Sequence, residues 1–164
     1  ARPGLSIVHI YDFNPADIIQ KKEVTEISEL CFEIISKPLK EKHPDDPRVK
    51  KLVEGFNPKT ISETLPTSEL TAYSENKGEK LAFCLNTEKD GDNLIDPNTL
   101  TFVAIHELAH IATQSVGHKD EFWSNFKFLL GEAAKINIYN QTDYKKKPVR
   151  YCGMNITDNP YYDF

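Results

Sequence analysis

The sequence predicts an α+β fold, in which a small, mainly antiparallel sheet packs on a central helix and on flanking helices. Three patterns lead to this fold class. Two short stretches rich in apolar residues flank a turn that contains Gly78, residues 97–113 are apolar almost all round, and residues 119–136 carry their apolar side chains on one side. A hairpin, a buried helix and an amphipathic helix are expected from these patterns.

The first third of the chain is predicted to contain one strand and one long helix. Residues 5–11 are rich in β-branched and aromatic side chains, which is typical of a strand. Asn14 and Pro15 form the cap-then-proline start of a helix, whose apolar residues recur at helical spacing until Pro38 ends it. A turn-rich connection at 43–47, a short helix at 48–56 and an irregular or weakly helical stretch at 57–66 are expected next.

The predicted hairpin joins residues 69–74 to residues 80–85 through the turn at 76–79. After a polar loop, Asp96 and Pro97 repeat the start signal of a helix, which should run to about Thr113. This helix is apolar almost all round, so we expect it to be buried. Two histidines and one glutamate on a buried helix are unusual, because buried polar groups need partners.

The last part of the chain is predicted to form one more helix and a wrapping tail. A break at Gly117 precedes an amphipathic helix from Lys119 to about Ile136. Residues 137–164 are aromatic and turn-rich and show no long period, so we expect them to wrap over the domain. We therefore predict a single domain over residues 1–164.

The composition restricts the function class. With 39% hydrophobic and 27% charged residues the chain should fold, and a net charge of −5 gives no support to DNA binding, although a local basic patch is compatible with it. The Lys145–Lys147 run is expected to be solvated. No apolar run approaches the roughly 20 residues that span a bilayer, and no signal peptide is evident. Because the chain begins at Ala1 rather than Met, the sequence does not exclude an anchor or targeting segment upstream.

The three cysteines, Cys31, Cys84 and Cys152, are far apart and form no Cys-x-x-Cys pair. We therefore expect neither a disulfide framework nor a cysteine-rich zinc site, and we expect a reducing compartment, either the cytoplasm or the nucleus. No pattern in the sequence predicts an oligomeric state.

The central helix carries the motif His106-Glu107-x-x-His110, which is the pattern of a zinc peptidase. Two helical residues four positions apart project from one face about 40° apart, so both imidazoles can bind one Zn²⁺ ion. Glu107 adjoins the first ligand, where its carboxylate can take a proton from water activated by the metal.

A catalytic zinc ion usually takes a third protein ligand. The metzincin pattern would require Gly at 113 and His at 116, where this chain has Thr113 and Val116. A thermolysin-like arrangement would take Glu121 or Glu132 from the following helix. His118 is the stronger candidate, because it lies eight residues beyond His110 and follows a glycine that allows the chain to reverse.

These residues, followed by Phe122 and Trp123, form a pattern that resembles the signature of the WLM/SprT-like zinc peptidases and their minimal YgjP-like relatives. The resemblance implies a zincin or minigluzincin-like fold, one catalytic Zn²⁺ ion bound by His106, His110 and His118, and Glu107 as the general base. It also implies hydrolysis of peptide bonds in a protein or peptide substrate. In such families the role is often the proteolysis of proteins crosslinked to or associated with DNA.

The same resemblance implies that an edge strand precedes the active-site helix and pairs with an extended substrate. The predicted strand around residues 80–86 lies in that place, with Leu81, Phe83 and Leu85 as its substrate-binding residues. A zinc-binding interaction domain on a retired peptidase scaffold is the alternative, against which the intact Glu107 argues.

Four further residues are weaker candidates for the site. Tyr144 or Tyr151 is a candidate to stabilise an oxyanion, although packing of the tail on the core explains each of them as well. Asp120 and Glu121 are candidates to orient the His118 imidazole. Acidic residues also favour the start of a helix, which explains both of them without a role in the site.

Overall fold

The structure is a computed structural model that describes residues 15–57, 61–63, 72–75, 80–88, 93–114 and 118–162. The predicted strand at 5–11, the Asn14 cap, the hairpin turn at 76–79 and the break at Gly117 lie outside these residues. The single-domain prediction for residues 1–164 stays a prediction for the same reason.

Four α-helices are present in the described part of the chain. They are α1 (Pro15–Ile34), α2 (Pro47–Gly55), α3 (Pro97–Ala112) and α4 (Asp120–Lys135). The predicted bounds of α3 and α4 agree with the structure within a residue or two. The end of α1 differs from the prediction, since the chain continues from Ile34 into a π-helical turn at Ile35–Lys40 that contains Pro38. Proline lacks the N–H of an α-helical bond, and a wider turn accommodates that loss.

The strands form two small sheets. In the first, β1 (Ile61–Glu63), β2 (Ala72–Glu75) and β3 (Lys80–Phe83) lie in the order β1-β3-β2, with β1 parallel and β2 antiparallel to β3. In the second, β4 (Val149–Tyr151) pairs antiparallel with β5 (Met154–Ile156). The α+β class is confirmed, and β2 and β3 pair in the antiparallel sense that the predicted hairpin requires.

The core lies around α3, which packs against α1, α2 and α4 and contacts β2. Its side chains are buried almost throughout, including Phe102, Ile105 and Leu108. The residues after α4 add Tyr139 and Tyr144 to this core, with ring centroids 6.0 and 4.8 Å from that of Phe102. The predicted burial of the central helix is therefore confirmed.

The substrate-binding strand predicted around residues 80–86 is not an edge strand. β3 is hydrogen-bonded on both sides, and Leu81, Phe83 and Leu85 are fully buried. Beyond β3, the Leu85 carbonyl accepts from the Ile95 N–H at 2.8 Å and the Asn86 carbonyl accepts from the Cys152 N–H at 2.9 Å. A substrate strand cannot pair with backbone groups that are already bonded. The prediction that Leu81, Phe83 and Leu85 bind substrate is therefore wrong.

Two of the three cysteines are joined. Cys84 and Cys152 form a disulfide across 68 residues of sequence, with their Cα atoms 6.1 Å apart, whereas Cys31 is a buried free thiol. The expectation that the cysteines stay unpaired is therefore corrected, since strand β3 and the tail meet in space.

Every helix in the described part of the chain is too short or too polar to cross a lipid bilayer.

Candidate metal centre

Helix α3 presents His106 and His110 on one face, as their spacing requires. The helix begins at Pro97, and the Asp96 carboxylate caps it by accepting from the Thr99 N–H at 2.9 Å. The two imidazole centroids lie 4.9 Å apart, and both residues are partly exposed, whereas residues 99–105, 107–109, 111 and 112 of the helix are buried. The helix therefore holds two nitrogen ligands at the border between the core and solvent.

His118 joins this pair from the segment just before α4. Its ring centroid is 5.2 Å from that of His106 and 4.9 Å from that of His110, and the Nε2 atoms of His110 and His118 are 3.1 Å apart. One ligand atom from each of the three histidines lies within 4.8 Å of the others. Tetrahedral Zn–N bonds of 2.0–2.1 Å imply a separation of roughly 3.3 Å between two ligand nitrogens, so the histidines fit a zinc ion.

Two aromatic residues of α4 hold the histidines in this arrangement. The Phe122 ring is fully buried, with its centroid 5.1, 4.3 and 4.7 Å from those of His106, His110 and His118. The Trp123 indole N–H donates to the His118 carbonyl oxygen at 3.1 Å. The first turn of α4 thus fixes both the ring and the backbone of the third histidine.

The end of α3 is fastened to α4 by a buried polar pair. The Thr113 hydroxyl donates to the Ala109 carbonyl at 2.6 Å and accepts from the Asn125 amide at 2.9 Å. These bonds satisfy polar groups at the end of the helix, five residues before His118 in the sequence. The sequence gives no pattern from which this pair could be predicted.

The electrostatic environment favours neutral imidazole at His118. Burial lowers its pKa, the neighbouring His106 lowers it further, and the Glu107 carboxylate acts in the opposite direction. Metal binding requires the neutral form of histidine, so the environment favours the protonation state in which His118 can act as a ligand.

Glu107 is buried and contacts the first histidine directly. Glu107 is 3% exposed, and Oε2 of its carboxylate lies 2.9 Å from Nδ1 of His106. If Nδ1 of His106 carries the ring proton and donates a hydrogen bond to this carboxylate, Nε2 of the same ring can bind a metal. The Glu107 carboxylate therefore lies beside the first of the three histidines, where it can accept a hydrogen bond from the ring.

Tyr151, one of the two candidate tyrosines, lies in the tail. It is the last residue of β4 and is buried. Burial raises its pKa and the Glu107 carboxylate raises it further, whereas a hydrogen bond with the Cys84 backbone lowers it.

The other candidates lie elsewhere. Glu132 contacts Nε2 of His43 at 3.3 Å and Nζ of Lys135 at 3.2 Å. It is twelve residues after Asp120, which is roughly 18 Å along α4, so it is too distant to be the third ligand. The Tyr144 hydroxyl donates to the Thr99 hydroxyl at 3.5 Å. Thr99 is roughly 10 Å along α3 from His106, so Tyr144 is wrong as an oxyanion donor.

Asp120 and Glu121 are exposed on the first turn of α4. The shift in the pKa of His118 is caused by burial, by His106 and by Glu107. Their position suits the favourable interaction of acidic side chains with the start of a helix, so the structure gives no support to an orienting role.

Comparison with known proteins finds a family model that matches most of the chain. The model of the WLM domain matches residues 47–161. An uncharacterized protein of Acanthamoeba polyphaga mimivirus is 34% identical over 114 residues, which cover 67% of this chain and 57% of the relative. An uncharacterized protein of Invertebrate iridescent virus 6 is 36% identical over 82 residues, which cover 49% of this chain and 44% of the relative. The chain spans about half the length of the curated relatives it matches. No solved structure matches it.

Proposed function

The chain belongs to the WLM domain family, which is related to zinc metallopeptidases, and on this premise we propose that it is a zinc-dependent peptidase. The observation that carries the proposal is the convergence of three histidine nitrogens within 4.8 Å beside a buried glutamate. Three imidazoles that leave one position open are a ligand set of catalytic zinc, whereas structural zinc sites usually have four protein ligands.

In this proposal His106, His110 and His118 bind the metal. A zinc ion in this place supplies Lewis acidity, which acidifies water and polarises a peptide carbonyl. Glu107 accepts a proton from the water that attacks the carbonyl carbon. When the C–N bond breaks, the Glu107 carboxyl gives that proton to the leaving amine.

The contact between Glu107 and His106 is compatible with this role. A carboxylate has two oxygens with about four acceptor positions, so one oxygen can accept from Nδ1 of His106 while the other meets water. Burial of the carboxylate strengthens both interactions, because the local dielectric is low.

The same contact favours one alternative. In a zinc-binding interaction domain without catalysis, Glu107 would serve only to orient His106. The two functions differ in what a Glu107→Gln substitution changes. An orienting residue affects the affinity for metal, whereas a general base affects cleavage.

The test is a peptidase assay with zinc-loaded protein on a set of quenched fluorescent peptides and a denatured protein. We expect cleavage that 1,10-phenanthroline abolishes and added zinc restores. Glu107→Gln should keep one equivalent of zinc, measured by elemental analysis, and lose cleavage by about 10²–10⁴-fold. Glu132→Gln is the matched control, because it alters a buried carboxyl that contacts His43 and not the three clustered histidines, and it should cleave normally.

Three results would contradict the proposal. A protein that takes up no zinc would point to a metal-independent structural domain. A protein that binds zinc but cleaves no substrate would favour the interaction domain. Normal cleavage by Glu107→Gln would exclude its role as the general base.

A DNA-associated substrate belongs to the proposal only through the family resemblance. The net charge of −5 gives it no support. Adding single-stranded or double-stranded DNA to the same assay, with a DNA-bound protein beside a free one, would show whether DNA changes the rate.

A further inference from the structure

Trp123 is a large apolar side chain that stays 41% exposed beside the three histidines. Its neighbour Phe122 is fully buried and contacts all three imidazole rings, so the packing of α4 on the histidines does not require Trp123 to be covered. A single exposed apolar side chain is ordinary on a protein surface, but this one lies at the metal centre. Whatever molecule reaches the histidines therefore meets the indole as well.

The indole ring contacts the third histidine directly. Its centroid lies 5.6 Å from that of His118, and its N–H donates to the His118 carbonyl oxygen at 3.1 Å. His118 is itself exposed, so the open surface of the indole adjoins the open side of the histidine cluster. Because an extended peptide advances about 3.3 Å per residue, a side chain beside a peptide bond at the histidines can reach the indole.

Aromatic contacts hold the ring in place. The ring centroids of Phe122 and Phe126 lie 5.1 and 6.3 Å from that of Trp123, and both phenylalanines are buried. The N–H group is the only polar group of an indole, and the His118 carbonyl already accepts from it. The surface that Trp123 presents to solvent is therefore carbon in a fixed orientation, and such a surface binds at a low cost in conformational entropy.

The charges around the indole favour an uncharged occupant. An aromatic face also attracts cations, which makes a lysine or arginine side chain the competing candidate. Lys119 and Lys127 lie four residues before and after Trp123, and the Asp120 carboxylate offsets one of their charges. The remaining positive charge, together with that of a zinc ion at the histidines, would repel a cation but not an apolar side chain.

We propose that Trp123 is a specificity-determining residue that binds a large apolar or aromatic side chain of the substrate next to the cleaved peptide bond. This inference rests on the proposed peptidase function and names the class of substrate on which that function acts. Contact removes apolar surface of both groups from water, and two aromatic rings gain further from an offset or edge-to-face arrangement.

Otherwise identical peptides with Phe, Leu, Ala or Lys at one position measure this preference. Mass spectrometry first locates the cleaved bond, and the residues on its two sides are then varied. At one of the two positions, kcat/KM of the zinc-loaded chain should be about 10-fold higher with Phe or Leu than with Ala or Lys. In Trp123→Ala this ratio should fall to about 1. Phe32→Ala is the matched control, because it removes an exposed aromatic side chain of α1 and should keep the ratio.

The ratio separates the binding of substrate from the support of the metal site. The indole N–H also holds the His118 carbonyl, so Trp123→Ala can lose zinc or stability. Such a loss lowers kcat/KM by the same factor for every peptide and leaves the ratio unchanged. Trp123→Phe loses the same hydrogen bond but keeps a ring, so its ratio should stay well above that of Trp123→Ala.

Fluorescence gives a readout without turnover, because Trp123 is the single tryptophan of the chain. In zinc-loaded Glu107→Gln, the peptide with Phe should shift the tryptophan emission to shorter wavelength until the site is saturated. Its Kd should be about 10-fold lower than that of the peptide with Ala. Adding Phe32→Ala to the same protein should change neither value.

Equal ratios in Trp123→Ala and the unaltered chain would overturn the inference while the peptidase function stands, and so would the same kcat/KM for all peptides in the unaltered chain. Emission that changes with protein concentration in the absence of peptide would also contradict it, since a second copy of the chain would then cover the indole. A lack of cleavage by the unaltered zinc-loaded chain would remove the proposed function, and this inference with it.

Discussion

His118 is the residue on which the metal site depends most, because it alone comes from outside α3. His118→Ala should lower the affinity for zinc by more than the 10–100-fold that is typical for loss of a group that orients a ligand. The remaining pair, His106 and His110, would bind metal with two nitrogens only. Competition with a chelating dye at pH 7.5 measures the change.

His43→Ala is the control for that experiment, because it is the same substitution at a histidine that contacts Glu132 instead of the cluster. Its zinc affinity should be that of the unaltered chain. Unchanged affinity in His118→Ala would show that His118 is not a ligand.

At the residue scale, the sequence predicts what depends on local spacing. His106, Glu107 and His110 lie on one short helical segment, and a period of 3.6 residues is enough to bring the two histidines together. His118 also lies near in sequence, and the structure brings it to the cluster as expected. Tyr151 and Tyr144 could not be told apart, because their distances from Glu107 depend on how the tail folds back over α3.

At the element scale, the start of α2 gives a test of how one carboxylate stabilises a helix. The Asp46 side chain accepts from the Arg48 N–H at 2.9 Å and bonds the Arg48 guanidinium at 2.6 Å. That guanidinium lies 3.9 Å above the Phe128 ring centroid, so the cap also connects α2 to α4. Asp46→Ala should lower the free energy of unfolding by about 1 kcal/mol, and denaturant titration measures it.

The same carboxylate predicts a dependence on pH. Hydrogen bonds from Arg48 lower the pKa of Asp46 below its ordinary value of 3.8, against an opposing effect of burial. The pKa of Asp46 is therefore lower in the folded state than in the unfolded state. The stabilisation is fully present when the pH is above the unfolded-state pKa, and it is lost as the pH falls through the folded-state pKa. The difference between Asp46→Ala and the unaltered chain should therefore be constant at pH 5–7 and shrink below pH 4.

Asp45→Ala is the control for the cap, because Asp45 is its exposed neighbour and should change stability by no more than about 0.5 kcal/mol. An equal effect of the two substitutions, or a cost for Asp46→Ala that persists at pH 2, would contradict the account.

Among the elements, the helices can be predicted from the sequence, whereas the order of the strands in the sheet cannot. The cap-then-proline signal at Asp96 begins a helix as predicted, because it is local. The Asp46 cap of α2 lies in the stretch that the sequence predicts as a turn-rich connection. The central place of β3 depends on β1, a three-residue strand in a stretch that the sequence shows as irregular. So short a strand carries no periodicity, and the pairing is made with residues that are distant in the chain.

At the scale of the whole molecule, the disulfide shows why cysteine spacing is a weak guide. Cys84 and Cys152 are 68 residues apart, and only the fold brings the end of β3 and the tail together. The same contact brings the tail against residues 84–87, whose backbone groups bond to Asn93, Ile95, Cys152 and Gly153 and are therefore not available to a substrate strand.

Zinc should also stabilise the whole fold, because its proposed ligands join α3 to the segment before α4. A ligand that binds only the native state stabilises it by RT ln(1 + [L]/Kd), which is about 2.7 kcal/mol at a free zinc concentration of 100 Kd. For a chain of this size that corresponds to a rise of about 5–10 °C in melting temperature, which differential scanning fluorimetry can detect. The rise should be lost in His118→Ala and kept in Glu107→Gln, because the latter removes no ligand. Loss of the rise in Glu107→Gln alone would instead mean that this carboxylate holds His106 in place for the metal, which would assign it to binding rather than to proton transfer.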